Sequence, residues 1–356
     1  MKILIITSIY LPHIGGIELY VKNLATGLKK NGNDVSIFVG DRISNKFSDA
    51  VEYGIRTIRV PVLYFKGMTY LKRLEDKLLL ERMLAKCDVV HLNDVKFLYK
   101  FLARKKSVYG YRLFFSSHGF IYHTSDFLLL KNYYMKKMAK YSKFYDINYC
   151  VSENDAVIAK KFYFSNIKIL IPGTDIHKFD CIKPDIFTKN CFVYWGRVAP
   201  NKGILELVTF FHKLSNNYLL QIIGSCDNNG YFQKIISAAE KDKRITFLGY
   251  KTDDEIKKYA QRAEFLVFPS LHEGFGMSLI EGLSSGKKII ANNIETFIQI
   301  LSECSETEYL FDFKEDEKKF NDKLAQLRGK NTVNRPRLEK FSIEFMVKEI
   351  EKDYSN

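Results

Sequence analysis

CFVYWGRVAPNKGILELVTFFHKL, residues 191–214, decides how this chain is folded. Five apolar or aromatic residues run up to Gly196. A turn with Arg197, Pro200 and Lys202 follows, and then an apolar stripe at helical spacing. That is a strand, a loop and a helix in quick succession. The same order stands at the other end of the chain. KILIITSIYLPHIGGIELY, residues 2–20, is an apolar run, a turn with Pro and paired Gly, and the start of an amphipathic helix that Gly32 closes. The pattern therefore begins twice.

Outward from these two stretches the rotation continues. DVSIFVG, GIRTIRVPV, DVVHLND and RLFFSSH read as further strands of the first half. LLQIIGS, RITFLGY, EFLVFPS and KKIIANN read as strands of the second, with DDEIKKYAQRA and SLIEGLSSG as helices among them. VVHLN and LFFSS are apolar on both faces, as strands of a covered parallel sheet are. The expected fold class is α/β, with two Rossmann-like domains. The expected boundaries are 1–180, 181–340 and a last segment, 341–356. DCIKPDIFTKN, residues 180–190, has charges of both signs, one Pro and no periodicity, and reads as the linker. A length of 356 residues agrees with two domains. Two such halves imply a cleft, with ligand groups supplied by strand-to-helix loops.

Composition narrows the class. Hydrophobic residues make up 46%, which points to packed cores. The six cysteines, at 87, 150, 181, 191, 226 and 304, form no CxxC pair, which fits reduced thiols in the cytoplasm. The first apolar run ends at Pro12 without a small-residue cleavage site, so a buried strand is expected rather than a leader. No apolar stretch approaches the roughly 20 residues that span a bilayer. The net charge is +14 and is unevenly placed. Residues 1–180 carry 29 Lys and Arg against 16 Asp and Glu, whereas 181–356 carry 26 against 25. The first half therefore expects an anionic partner.

Four loops carry the candidate chemistry. Gly15 and Gly16 open the first helix, where free N–H groups and a positive dipole end suit a phosphate. A tight turn explains them equally well, since neither GxGxxG nor GKS/T is present. His118 ends the strand RLFFSS and could donate to a sugar hydroxyl or a developing charge. It could also be a structural hydrogen-bonder, and His123 competes with it. Arg197 and Lys202 lie five apart at a strand end, a fork and a point charge for a diphosphate, or else plain surface charge.

The fourth loop is HEGFGMSLIEG, residues 272–282. Glu273 precedes a Gly-Phe-Gly turn and Glu281 lies about one turn into the next helix. The N–H groups from Gly276 through Met277 and Ser278 to Leu279 are expected free at that helix start, with the Ser278 hydroxyl beside them. Helix-end and solvated charges are the alternative, although glycines weaken a helix start unless close approach is needed. No Asp-x-Asp occurs in the chain, so no metal site is expected. Asp253 and Asp254 open a helix and read as capping.

HEGFGMSLIEG resembles the E-x7-E motif of retaining glycosyltransferases of family 4, which have the GT-B fold. WGRVAPNKG resembles their Gly-Arg…Lys-Gly motif, LPHIGGIE their N-terminal glycine loop, and IPGTDIHKF their Gly-Val-Asp…Phe segment, with Thr174 where Val is common. YLPHIGGIE, DVVHLND, SSHGFIYHT, SENDA and WGRVAPNKG together resemble mannosyltransferases acting on polyprenyl-diphosphate-linked sugars in xanthan- and acetan-type polysaccharide assembly. The resemblance implies GDP-mannose as donor, a lipid-linked acceptor and no cofactor. It implies that Arg197 and Lys202 bind the diphosphate, Glu281 the ribose, and Glu273 the sugar. Gly274, Phe275 and Gly276 would present N–H groups, and His118 would touch the sugar near the reacting carbon. FSIEFMVKEIEKDY looks like the helix that crosses back to the first domain.

FLLLKNYYMKKMAKYSKFY, residues 127–145, joins apolar residues to Lys131, Lys136, Lys137, Lys140 and Lys143. It reads as a basic amphipathic helix for an anionic membrane surface, or as a core helix with a solvated lysine face. The expected place is the inner face of the cell membrane, as a peripheral protein. Three other readings stand beside this one. A UDP-sugar transferase would differ in donor, and a nucleotide-sugar 2-epimerase would turn over donor without acceptor. A basic nucleic-acid binder would show salt-sensitive RNA binding, but no nucleic-acid motif is present.

Overall fold

The computed structural model describes residues 1–12, 15–65, 68–120, 128–183, 185–214, 217–226, 228–329 and 338–356. The chain divides into two compact units, Met1–Gly173 with Ser342–Asn356, and Thr174–Phe341.

In the first unit the strands are β1 (Lys2–Thr7), β2 (Asp34–Asp41), β3 (Ser48–Glu52), β4 (Ile55–Phe65), β5 (Met68–Leu71), β6 (Val89–Leu92), β7 (Arg112–Ser116), β8 (Ile147–Cys150) and β9 (Ile167–Ile169). They lie in the order β3-β4-β2-β1-β6-β7-β8-β9, and β5 pairs with β4. β3 and β5 run antiparallel to β4, while the other pairs are parallel. Alternation along β1 sets the layers. Leu4 and Ile6 face one core with Leu80, Leu102 and Met135, while Ile3 and Ile5 face another with Leu24 and Ile350.

The final helix, Ile343–Ser355, belongs to this first unit. Met346, Val347 and Ile350 bury against the helix Gly16–Lys30. A methyl group at Gly27 would come within 2.5 Å of Val347 Cγ2, so the crossing depends on a bare backbone there. Asn31 Nδ2 donates to Glu351 at 2.6 Å, and Tyr354 bonds the buried His91 ring.

In the second unit β10 (Cys191–Trp195), β11 (Leu219–Ile223), β12 (Ile245–Gly249), β13 (Phe265–Phe268), β14 (Lys288–Asn292) and β15 (Leu310–Phe311) lie in the order β12-β11-β10-β13-β14-β15, all parallel. Counted within the unit, this is the 3-2-1-4-5-6 Rossmann order. The order reverses between β10 and β13, and the loops after those two strands flank the reversal.

The break between the units falls at Gly173–Thr174, ahead of the 180–190 stretch. Residues beyond it already pack on the second sheet, since Phe179 lies 5.1 Å from the Trp195 ring and Lys178 reaches Glu281. The helix Leu128–Ser142 turns Met135 and Met138 into the first core, so its apolar stripe is a core face. Lys136, Lys137, Lys140 and Lys143 are exposed, and Lys131 is half-buried. No described helix is long and apolar enough to cross a membrane.

Candidate functional site

In the second unit the two loops of the topological reversal are tied together. β10 and β13 are neighbours, so the loops after them leave the same sheet edge. The Asn201 carbonyl accepts from the Leu271 and His272 N–H groups at 2.9 and 3.1 Å, and Asn201 Nδ2 donates to the His272 carbonyl at 3.1 Å. Gly203 has φ +66, and a methyl group there would lie 2.2 Å from the Pro269 carbonyl oxygen. Only glycine lets these backbones meet so closely.

Across this staple lies the first carboxylate. Lys202 Nζ donates to Glu273 Oε1 at 2.6 Å, and Ser270 Oγ donates to the same oxygen at 2.8 Å. The Glu273 carbonyl accepts from Thr296 Oγ1 at 3.0 Å. Glu273 is buried and charge-paired, so its carboxylate is held in one place. Arg197 is different. Its guanidinium is exposed and has no ion pair among the described residues, while its carbonyl accepts from Tyr194 Oη at 3.0 Å. Sequence places Arg197 and Lys202 together as two cations. The structure leaves Arg197 open and gives Lys202 a carboxylate partner.

Gly276 then turns the chain with φ +84 into the helix Met277–Ser284. Among the described residues, the N–H groups of Gly274, Phe275, Gly276, Met277 and Ser278 have no hydrogen-bond partner. Leu279, expected free with them, is not. Its N–H donates to the Gly276 carbonyl at 3.0 Å, because the left-handed glycine folds that carbonyl under the first turn. The Phe275 ring lies 6.4 Å from Phe341, and Met277 and Ser278 are half-buried. The result is a row of donors at a helix start that attracts an anion.

Glu281 is the fifth residue of that helix and has partners of its own. Lys178 Nζ donates to its Oε1 at 3.0 Å and Trp195 Nε1 to its Oε2 at 3.2 Å. Lys178 also reaches Asp253 Oδ1 at 2.9 Å. Burial alone would lower the Lys178 pKa. The Glu281 charge and the bonds to Asp253 and Glu281 outweigh that and hold it above the ordinary lysine value. Asp253 is thus an anchor for Lys178, while the cap of its helix is Thr252 in a capping box with Glu255. Sequence reasoning named neither Lys178 nor Trp195 as a site residue. Lys178 stands in the quoted IPGTDIHKF, but a partner so far along the chain leaves no periodic signal.

The first unit holds the other two candidates. Gly15 caps the helix Gly16–Lys30 with extended φ, and a methyl group there would lie 2.6 Å from Glu18 Oε2. The buried Glu18 carboxylate therefore already faces the helix start that was expected to take a phosphate. His118 follows β7 with φ +46, packs edge-on 4.6 Å from the Tyr20 ring, and shares a 3.1 Å bond between Nε2 and Asn93 Oδ1. Its turn is held by Asp155, which accepts from the Gly119 N–H at 2.9 Å and from Ser117 Oγ. His123 lies outside the described residues. Among those residues no three His, Cys, Asp or Glu side chains gather as a metal cage would need.

Two family descriptions match the chain in sequence. "Glycosyltransferase Family 4" matches residues 14–178 and "Glycosyl transferases group 1" matches 182–340. GDP-mannose:cellobiosyl-diphosphopolyprenol alpha-mannosyltransferase of Xanthomonas oryzae pv. oryzae is 25% identical over 316 residues, covering 86% of this chain and 82% of that protein. The O-antigen chain mannosyltransferase RfbU of Salmonella typhimurium is 29% identical over 157 residues, 44% of this chain and 43% of its own. Among solved structures, Anabaena HepE in complex with UDP and glucose aligns with TM-score 0.76 at 14% identity, covering 100% of this chain and 99% of that one. Sucrose-phosphate synthase of Thermosynechococcus elongatus aligns with TM-score 0.75 at 17% identity, over 100% and 98%. These neighbours share the two-domain GT-B fold.

Proposed function

We propose, since the chain belongs to the GT-B glycosyltransferases of family 4, that it moves mannose from GDP-mannose onto a polyprenyl-diphosphate-linked acceptor. The product would be a building block of a bacterial surface polysaccharide. The observation that carries this reading is the row of unpartnered N–H groups from Gly274 to Ser278, beside Lys202 and the open Arg197. A donor diphosphate fits that row: it needs backbone donors, a fork and a point charge. The names of the curated mannosyltransferase relatives support mannose, GDP and the lipid-linked acceptor.

In this reading Glu281 accepts from the ribose hydroxyls, and Glu273 accepts from a hydroxyl of the sugar. Lys202 carries three N–H donors and uses one on Glu273, so it can serve the diphosphate as well. Transfer proceeds with retention at the anomeric carbon. The bond from that carbon to the diphosphate oxygen breaks, and its electron pair leaves with GDP. The acceptor hydroxyl bonds the carbon on the same face and passes its proton to the departing phosphate oxygen. Arg197, Lys202 and the helix start stabilise the leaving charge without a divalent metal or cofactor. His118 is assigned to the sugar near the reacting carbon on the family resemblance. The chain works as a peripheral protein at the inner face of the membrane, where Lys131, Lys136, Lys137, Lys140 and Lys143 of the helix Leu128–Ser142 and the turn after it meet anionic lipid.

The test is a panel of nucleotide sugars with a lipid-linked disaccharide acceptor, product anomers being read by NMR. GDP-mannose should be consumed, only with acceptor present, to give the α product, and EDTA should leave the rate unchanged. Turnover of a UDP-sugar instead replaces the donor. Donor conversion without acceptor makes the chain an epimerase. Loss with EDTA restored by Mg²⁺ or Mn²⁺ removes the metal-free step.

A further inference from the structure

Exposed apolar residues occur at many points of the first unit, and four of them stand together on one hairpin. β4 runs past the sheet and returns as β5, pairing Val62 with Leu71, Leu63 with Tyr70 and Phe65 with Met68. Leu63, Tyr64, Phe65 and Tyr70 are 52%, 56%, 62% and 49% exposed. Paired residues share a face, so Leu63, Phe65 and Tyr70 lie together on an open outer face, while Val62, Thr69 and Leu71 on the other face turn to the core and Tyr64, on that same face, is exposed nearer the tip. Beside it, the loop after β2 adds exposed Ile43 and Phe47, and Asn45 Oδ1 holds the Val62 N–H at 2.9 Å.

Cations ring these side chains. The Arg42 guanidinium lies 5.0 Å from the Tyr64 ring, and that of Arg73 lies 5.6 Å from Phe47. Arg73 is paired with Glu75 and Asp76. Arg42, Lys46 and Lys72 have no ion pair among the described residues. Apolar and aromatic side chains with the unpaired Arg42 beside Tyr64, and with exposed Lys46 and Lys72 next to them in sequence, match the two layers of an anionic bilayer surface, the acyl boundary and the headgroups. A second copy of the chain seated symmetrically on this patch would bring like charges together. The lysines of the helix Leu128–Ser142 can attract lipid, but the apolar stripe of that helix is already spent, because Met135 and Met138 are in the core.

We propose that the β4–β5 hairpin is the membrane-inserting element of this protein, its apolar side chains entering an anionic lipid surface and Arg42, Lys46 and Lys72 pairing with headgroups. The proposal builds on the lipid-linked-acceptor reading, but its test does not depend on any transfer activity. The full chain is mixed with vesicles of phosphatidylglycerol and phosphatidylcholine. Tyr64→Trp is the reporter, with Trp195 the single other tryptophan. Its emission should shift to the blue on the mixed vesicles, not on pure phosphatidylcholine, and brominated acyl chains should quench it. Tyr64→Ser with Phe65→Ser should lower vesicle partitioning by about tenfold or more, with unchanged thermal unfolding and unchanged transfer to a water-soluble acceptor. Lys136→Glu with Lys137→Glu should weaken binding less and leave the blue shift in place. The proposal is overturned if the serine pair binds vesicles like the parent, or if the reporter indole of Tyr64→Trp stays in water while the protein binds. It is overturned equally if the serine pair changes only the state of self-association, which would assign the patch to a second copy. Insertion without mannose transfer would sink the functional reading alone.

Discussion

Two helix starts in this molecule follow glycine-bearing turns at the edge of a parallel sheet, and they have opposite electrostatics. Behind β1, the helix Gly16–Lys30 begins under its own buried Glu18 carboxylate. Behind β13, the helix Met277–Ser284 begins with a row of open N–H donors, and the two nearby acids face elsewhere. Glu273 is bound by Lys202 and Ser270, and Glu281 by Lys178 and Trp195. The glycines alone do not make an anion site. What decides is whether the nearest carboxylate is turned onto the helix end or tied away from it by a cation.

The largest expected effect comes from cutting one such tie. Lys202→Ala removes a point charge from the open site and leaves the buried Glu273 without its cation, with only Ser270 donating to that oxygen. On the proposed donor site, the kcat/KM for transfer should fall about a thousandfold, since both the leaving charge and the sugar contact would suffer. Arg197→Ala, which frees no carboxylate, should cost about a hundredfold. Steady-state rates with donor varied give both values. A loss below about tenfold for both would show that the diphosphate lies elsewhere, and the contrast between the helix starts would lose its meaning.

Glu281→Ala comes next. It should weaken GDP binding by about ten- to a hundredfold in calorimetry, as the loss of a bonded ribose contact does. Lys178→Met should weaken it less, because Trp195 still holds one carboxylate oxygen, and Lys178→Arg should recover most of the loss. If Glu281→Ala and Lys178→Met were each without effect, Glu281 would be an anchor of the Thr174–Phe179 segment rather than a ligand group.

The readable and unreadable parts of this chain divide along the same physical line. Strands buried on both faces, such as β6, β7, β10 and β13, announce themselves as apolar runs, and their order of appearance with helices gives the fold class. β3 and β5 carry no such run. They lie outside the parallel core, β3 mostly exposed and β5 with only Thr69 buried, and exist because β4 offers them a pairing edge. In the site, the glycine turns and the residues Arg197, Lys202, Glu273 and Glu281 are legible because each stands where a strand meets a helix. Their partners are not. Lys178 lies 103 positions from Glu281, and nothing local in the sequence records that pairing. The open state of Arg197, the occupied state of Lys202 and the inward turn of Glu18 depend on where side chains point. Residue type does not fix that.

Gly276→Ala tests the geometry of the open start at lower cost. The residue has φ +84, and an added methyl group would lie 3.0 Å from Phe297. Folding stability should fall by about 1–2 kcal/mol, seen as a Tm lower by a few degrees. Donor affinity should fall as well, because the N–H row turns with that residue. A variant that unfolds earlier but binds GDP as before would mean that the row is scenery and the cations alone hold the diphosphate.

The smallest effect belongs to the closed start. Glu18→Gln keeps the shape of the side chain and removes its charge, leaving the first helix dipole uncompensated. If this end plays no part in donor binding, GDP-mannose affinity should stay within about twofold of the parent, because charge at a helix end is felt mainly in its first turn. Inorganic phosphate should then protect the variant against heat slightly more than the parent, because the Glu18 charge no longer repels an anion there. A change of about tenfold in GDP-mannose affinity or in kcat would break the comparison from its other side. It would mean that the Glu18 charge acts on the donor or on the reacting centre.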